Sequence, residues 1–160
     1  MRILSFIIFA ICWFPSVASA FWNIQISDED VFGNVNVEIT SFGGKARPYF
    51  MVCGSNGPPF FAFLIKGQVA ASDYEPAKFL FLRADGSLIE ADAELGPWND
   101  TYSAVRVFTP HSLRIFASEL ISATNPIQVG VQAGTLRLAD SVSSNGSTEA
   151  GRAFLKHCLE

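Results

Sequence analysis

The sequence predicts one α+β domain that is mostly β, folded as an antiparallel β-sandwich or a curled sheet of about eight strands. Three observations lead to this prediction. Apolar and polar residues alternate in most segments between residues 22 and 108, which is the period of a half-buried strand. Turn-forming residues separate these segments. Two later segments, near residues 110–121 and 148–159, change to the period of an amphipathic helix.

Residues 1–20 have the pattern of a signal peptide. Arg2 supplies the short positively charged region, segment 3–14 is apolar but too short to span a bilayer comfortably, and an Ala-Ser-Ala cleavage site ends at Ala20. We therefore expect cleavage after Ala20, export to the periplasm or the secreted space, and a single β-rich domain over residues 21–160.

Charge and hydropathy argue against a nucleic-acid partner and against a membrane-spanning segment after residue 20. Loss of Arg2 with the signal peptide takes the net charge from −4 to −5. An acidic chain without a run of Lys or Arg argues against nucleic acid as a partner. No apolar run after the signal peptide is long enough to span a membrane.

The strands follow in order along the chain, with polar turns between them. Strands are predicted over residues 22–26, 35–40, 49–53, 60–65, 79–82, 88–94 and 101–108. The turn at 27–30 is polar, Asn56-Gly57-Pro58-Pro59 joins the two apolar runs of segment 48–66, and Asp85-Gly86 is a strong hairpin signal. The nearly continuous apolar character of segment 48–66 is typical of strands that are covered on both faces.

The C-terminal part mixes helices and strands. Thr109 is a predicted N-cap with Pro110 at the first helical position, and the short helix should end before Asn125-Pro126. Residues 127–131 and 136–138 alternate as strands. Ser147 is predicted to cap the final helix.

Two cysteines, Cys53 and Cys158, remain after removal of the signal peptide. In an oxidising compartment an even pair is typical of a disulfide, so we predict a Cys53–Cys158 bridge that ties the last helix to an early strand. The competing interpretation is a reactive Cys53 with His157 as its base, which would leave Cys158 as an odd thiol.

Phenylalanine is concentrated on the central hairpin. The alternation of a strand prevents Phe60, Phe61, Ala62 and Phe63 from all pointing inward, so part of this set must meet a helix, a second sheet or a partner. We therefore predict Phe60, Phe61 and Phe63 as partner-contact residues.

No catalytic motif, metal-ligand spacing or cofactor fingerprint stands out, so the leading hypothesis is a non-catalytic accessory protein that binds a protein of the envelope or the secreted space. The alternative places an envelope hydrolase or small-ligand site on the acidic strand face of Glu90, Asp92 and Glu94. Simple alternation also explains these carboxylates as the wet side of an edge strand.

A resemblance concerns Cys53 and the C-terminal part from residue 101 to residue 159. Gly146 and Ala150 form a G-x-x-x-A pattern, which leads into a helix that ends near Cys158. This arrangement resembles the ending of small exported proteobacterial envelope proteins of the TagO/VasI-like kind, accessory proteins of type VI secretion. The resemblance implies an antiparallel β-rich fold, a terminal Cys paired with one on an early strand, a periplasmic location and a non-enzymatic role. It does not imply membership of a secretion system.

Overall fold

The structure is a computed structural model that describes residues 21–29, 35–45, 47–55, 57–67, 74–83 and 85–160. The predicted signal peptide, together with Asp30 and Asn56 of the predicted turns, lies outside the described residues. In the described part the strands are β1 (Asn23–Ile26), β2 (Val37–Phe42), β3 (Pro48–Gly54), β4 (Gly57–Lys66), β5 (Glu75–Leu82), β6 (Leu88–Pro97), β7 (Tyr102–Val107), β8 (Ile127–Ala133) and β9 (Leu136–Val142).

These nine strands form one antiparallel sheet in the order β1-β2-β3-β4-β7-β6-β5-β8-β9. Two helices accompany it, α1 (Pro110–Ser122) and α2 (Ser147–Phe154), and a π-helical turn (Leu155–Leu159) continues α2. The predicted fold class is confirmed, and the fold takes the form of a single curled sheet rather than a sandwich. The Asp85-Gly86 hairpin joins β5 to β6, and Gly86 adopts a φ of 82° that favours glycine.

The helix starts differ in one respect from the prediction. Thr109 stands at the N-cap of α1 with Pro110 following it, as predicted. The N-cap of α2 is Gly146, in the left-handed conformation, and Ser147 is the first helical residue. The prediction of Ser147 as a cap is therefore wrong by one position, because its hydroxyl donates to the carbonyl oxygen of Ser144 instead.

The main core lies between the inner face of the sheet and α1. The Phe116 ring of α1 lies 4.4 Å from the ring of Phe61 and 5.6–5.8 Å from those of Phe81 and Phe79, measured between centroids. Helix α2 packs closely on α1, since a Cβ at Gly151 would lie 2.6 Å from the carbonyl oxygen of Ala117. The inner face is thus covered by helices.

The sheet curls toward its inner face until the β2–β3 turn meets β9. The backbone N–H of Gly44 donates to the carbonyl oxygen of Ser141, and one oxygen of the buried Asp140 carboxylate accepts from the backbone N–H groups of Lys45 and Ser141. We call this contact the seam. Gly43 is needed here, because a Cβ would lie 2.6 Å from the other Asp140 oxygen.

The seam leaves three buried oxygens without a hydrogen-bond partner among the described residues: Ser41 Oγ, Tyr49 Oη and Asp140 Oδ2. Arg47 Nη1 lies 3.9 Å from Asp140 Oδ2. Burial and the neighbouring Asp140 carboxylate raise the pKa of the Tyr49 phenol well above its ordinary value.

The predicted Cys53–Cys158 disulfide is present, with a Cα–Cα distance of 5.6 Å and a sequence separation of 105. It joins β3 to the π-helical turn after α2. Closing a loop of this length stabilises a fold by up to about 4–5 kcal/mol in the chain-entropy model. With both sulfurs in the bridge, Cys53 has no thiol to serve as a nucleophile.

Replacing both Cys53 and Cys158 by Ser should lower the free energy of unfolding by about 2–5 kcal/mol, because the unfolded chain regains the entropy of an open loop. Urea unfolding measures the loss. A reducing agent should destabilise the wild-type chain and leave the double variant unchanged. Two titratable thiols in the native, non-reduced protein without residues 1–20 would contradict the bridge.

Replacing Tyr49 by Phe should change stability at pH 7 by no more than about 1 kcal/mol, because the buried hydroxyl lies beside the Asp140 carboxylate without a well-formed hydrogen bond. A raised pKa in the folded state means that the phenol's contribution is complete below about pH 10 and is lost as the pH rises further. Above pH 10 the wild type should therefore lose up to about 1.4 kcal/mol per pH unit more than Tyr49→Phe. Urea unfolding from pH 7 to 11 tests this, with Tyr74→Phe as the exposed control; parallel curves would contradict it.

Candidate partner-binding face

Strand β4 is apolar on both faces, and its alternation decides which phenylalanines a partner can reach. The side chains of Phe61 and Phe63 point inward and are 1% and 0% exposed. Phe60 and Ala62 point to the opposite, outer face. The prediction of Phe61 and Phe63 as contact residues is therefore corrected, because both rings belong to the inner core under the helices. Only Phe60 remains a candidate.

The outer face has a small apolar core of its own. Ala62, Leu64 and Ala104 are buried although they face away from the helices. Ala62 and Ala104 are small, so the rings of neighbouring outer residues can lie across the strands and cover them. We call this set the outer aromatic cluster; its members are Phe50, Phe60, Trp98, Tyr102 and Phe108.

The rings of the cluster contact one another across strands that are distant in sequence. The Trp98 ring lies 5.5 Å from that of Phe50 and 6.3 Å from that of Phe60, between centroids. Phe60 lies 5.8 Å from Phe108. Such separations are those of favourable aromatic pairs, which contribute about 0.5–1.5 kcal/mol each beyond their burial.

Arg106 extends the cluster toward β5. Its guanidinium lies 5.4 Å from the ring centroid of Trp98 and 5.5 Å from that of Tyr74. The same group donates to Tyr74 Oη at 3.1 Å and to the Pro97 carbonyl oxygen at 2.7 Å. Two rings and two hydrogen bonds thus fix an arginine on the outer face.

The acidic strand lies beside this arginine. Glu90, Asp92 and Glu94 point outward from β6, and Lys78 Nζ of β5 lies 2.8 Å from Glu90 Oε1 and 2.6 Å from Asp92 Oδ1. The hydrogen bonds to Asp92 and Glu90 hold the pKa of the Lys78 ammonium above its ordinary value. Glu94 stands directly opposite Arg106 in the register.

Two concave regions flank the outer aromatic cluster. We call the first the β5 cleft; it has a volume of about 470 Å³, and its lining includes Tyr74, Asp92, Glu94, Arg106 and Phe108. We call the second the β1 groove; it has a volume of about 730 Å³ and runs over β1 to β4, with Gln25, Glu38, Val52 and Phe60 in its lining. Phe60 borders the groove and Phe108 borders the cleft, so the cluster separates them.

Sequence reasoning missed most of this face. It selected Phe60 but not Phe50, Trp98, Arg106 or Phe108, because most of these residues meet Phe60 only through the non-sequential pairing of β4 with β7. One signal was present. Ala62 and Ala104 are small residues at outward positions of apolar strands, where larger side chains from neighbouring strands must fill the space.

Comparison of the chain with protein-family models, curated proteins and solved structures finds no match. Within the described ranges no helix has both the length and the apolar character needed to cross a membrane. Nor do those ranges contain a group of three or more His, Cys, Asp or Glu side chains placed to hold a metal ion.

Replacing Phe61 by Ala should lower the free energy of unfolding more than replacing Phe60 by Ala, because Phe61 lies in the inner core and Phe60 on the outer face. Loss of the buried Phe61 ring leaves a cavity beside α1 and should cost about 3–5 kcal/mol, whereas the half-buried Phe60 should cost less than about 2 kcal/mol. Urea unfolding of both variants measures the difference. Equal losses would show that the outer aromatic cluster is as important to the fold as the inner core.

Proposed function

We propose that this chain is an exported accessory protein that binds a protein of the cell envelope or the secreted space and catalyses no reaction. The observation that supports the proposal is the outer aromatic cluster with its fixed arginine. Trp, Tyr and Arg are the residues that most often dominate the binding energy of protein interfaces. Here Trp98, Tyr74 and Arg106 stack together on a face that the chain's own helices do not cover.

The geometry also favours binding because these side chains are already ordered. Arg106 is held by two rings and two hydrogen bonds, so little rotamer entropy remains to be lost when a partner docks. The rings of Phe50 and Phe60 likewise both pack against Trp98. A rigid aromatic surface of this kind needs no rearrangement before contact.

Export is supported by the disulfide, which suits an oxidising compartment. A periplasmic or secreted location also agrees with the pattern of residues 1–20. Both features fit a partner of the envelope or the secreted space.

A second candidate function is small-ligand binding in the β5 cleft. Its volume of about 470 Å³ falls in the range of ligand pockets, and Asp92 and Glu94 line it. A hydrolase that uses the acidic strand has less support. Two of its three carboxylates, Glu90 and Asp92, bind Lys78 on the exposed outer face rather than facing each other across an enclosed cleft.

In-cell photo-cross-linking tests the partner proposal. A photoreactive phenylalanine analogue placed at Phe60 or Tyr74 should capture one dominant exported protein, identified by mass spectrometry. Trp98→Ala should lower the yield about tenfold or more, since a central Trp often contributes 2 kcal/mol or more to binding. The matched control is the same analogue at Leu88, an exposed apolar residue (63% exposed) at the β5–β6 turn.

Equal capture from Leu88, or a yield that Trp98→Ala does not change, would contradict a partner surface at the outer aromatic cluster. Empty capture from both Phe60 and Tyr74 would shift support to the small-ligand candidate. Urea unfolding of Trp98→Ala must accompany the experiment, so that loss of capture is not confused with loss of fold.

A further inference from the structure

The β1 groove, the outer aromatic cluster and the β5 cleft lie side by side across the outer face, and we call the three together the track. Phe60 lines the groove, Phe108 lines the cleft, and their rings are 5.8 Å apart. The track crosses the strands nearly at right angles, from β1 to β5. Its shape is that of a site for an elongated ligand rather than a compact one.

The spacing of strands gives the length of this track. Glu38 of β2 and Glu94 of β6 are separated by four strand-to-strand steps in the sheet order. At about 4.8 Å per step the distance across the sheet is roughly 19 Å. An extended polypeptide advances about 3.3 Å per residue, so it covers this distance in about six residues.

Exposed carboxylates lie toward both ends of the track, Glu38 on β2 and Glu94 on β6, and Arg106 stands opposite Glu94 in the register. Among the described residues no Lys, Arg or His side chain lies within ion-pair distance of Glu38 or Glu94, whereas Glu90 and Asp92 are paired with Lys78. One carboxylate without an ion pair therefore stands in the β1 groove and another in the β5 cleft. The rings of Phe60 and Trp98 lie between them.

We infer that the track binds an extended segment of the partner protein that carries two Lys or Arg side chains six residues apart, with apolar side chains between them. An even spacing places both cations on one face of the extended segment, together with the residues two and four positions after the first cation. The cations meet Glu38 and Glu94, and the intervening apolar side chains meet the outer aromatic cluster. This inference rests on the proposed function and specifies the chemistry of its partner.

Two synthetic peptides test the inference on the protein without residues 1–20. The first, GKTVTVTKG, has the inferred pattern, and the second, GETVTVTEG, reverses its charges. By fluorescence anisotropy at low ionic strength, the lysine peptide should bind about tenfold or more tightly than the glutamate peptide, and added salt should weaken it.

Variants of the two carboxylates test whether the peptide binds at Glu38 and Glu94. Glu38→Gln and Glu94→Gln should each weaken binding of the lysine peptide about two- to fivefold, which is the range for an exposed ion pair. Glu90→Gln is the matched control on the same strand as Glu94, and it should leave binding unchanged because Glu90 already binds Lys78. All three side chains are exposed, so the variants should fold.

Equal affinity for the two peptides, no measurable binding of either, or a loss with Glu90→Gln as large as with Glu94→Gln would overturn the inference. These outcomes are distinct from failure of the proposed function. Cross-linking at Phe60 that captures a partner through a segment without paired cations would keep the function and reject the basic segment. Capture through a segment with Lys or Arg six residues apart would support both.

Discussion

The structure depends on the need to cover both faces of β4, a central strand that is apolar on each side. Its inward rings, Phe61 and Phe63, need a second layer, and α1 supplies Phe116 to cover Phe61. Its outward residues Ala62 and Leu64 also need cover, and the rings of neighbouring strands supply it. The helices and the outer aromatic cluster therefore cover opposite faces of the same central strand, and both remove its apolar surface from water.

A polar contact closes the curl of the sheet, where the β2–β3 turn meets β9. Asp140 is buried, yet one of its oxygens accepts two backbone N–H groups, one of them from the β2–β3 turn. A buried carboxylate with such donors stabilises the contact that it makes, and the nearby Arg47 offsets part of its charge. The second Asp140 oxygen and the Tyr49 hydroxyl have no partner among the described residues, so the seam carries a cost that the rest of the fold must offset. The disulfide is well placed to help, since it joins β3, the strand of Tyr49, to the C-terminal turn.

Local patterns predicted the parts of this fold that depend on local chemistry. Alternation located the strands, Thr109 with Pro110 located the start of α1, and the cysteine pair predicted the bridge. The sequence did not predict which β4 rings point inward, because a continuous apolar run has no polar residue to mark its outer face. The candidate site was predicted only at Phe60. The remaining members come from β3, from β7 and from the segments that follow β6 and β7. They lie near Phe60 because β4 pairs with β7, which is three strands later in the sequence. No short-range sequence pattern encodes that strand order.

The same rings act in folding and, in the proposed function, in binding, and this shared use has a physical consequence. An exposed aromatic patch on an open sheet favours non-specific association, but rings that pack on one another and on small residues present less free apolar edge. Lys78, Glu90 and Asp92 border the patch on its β5 and β6 side with charge that discourages pairing with other apolar surfaces. A partner that offers cations to Glu38 and Glu94 meets this face favourably, whereas an acidic or purely apolar surface does not. In the proposed function, selectivity on this face therefore arises from the charges at its two ends, and affinity from the rings between them.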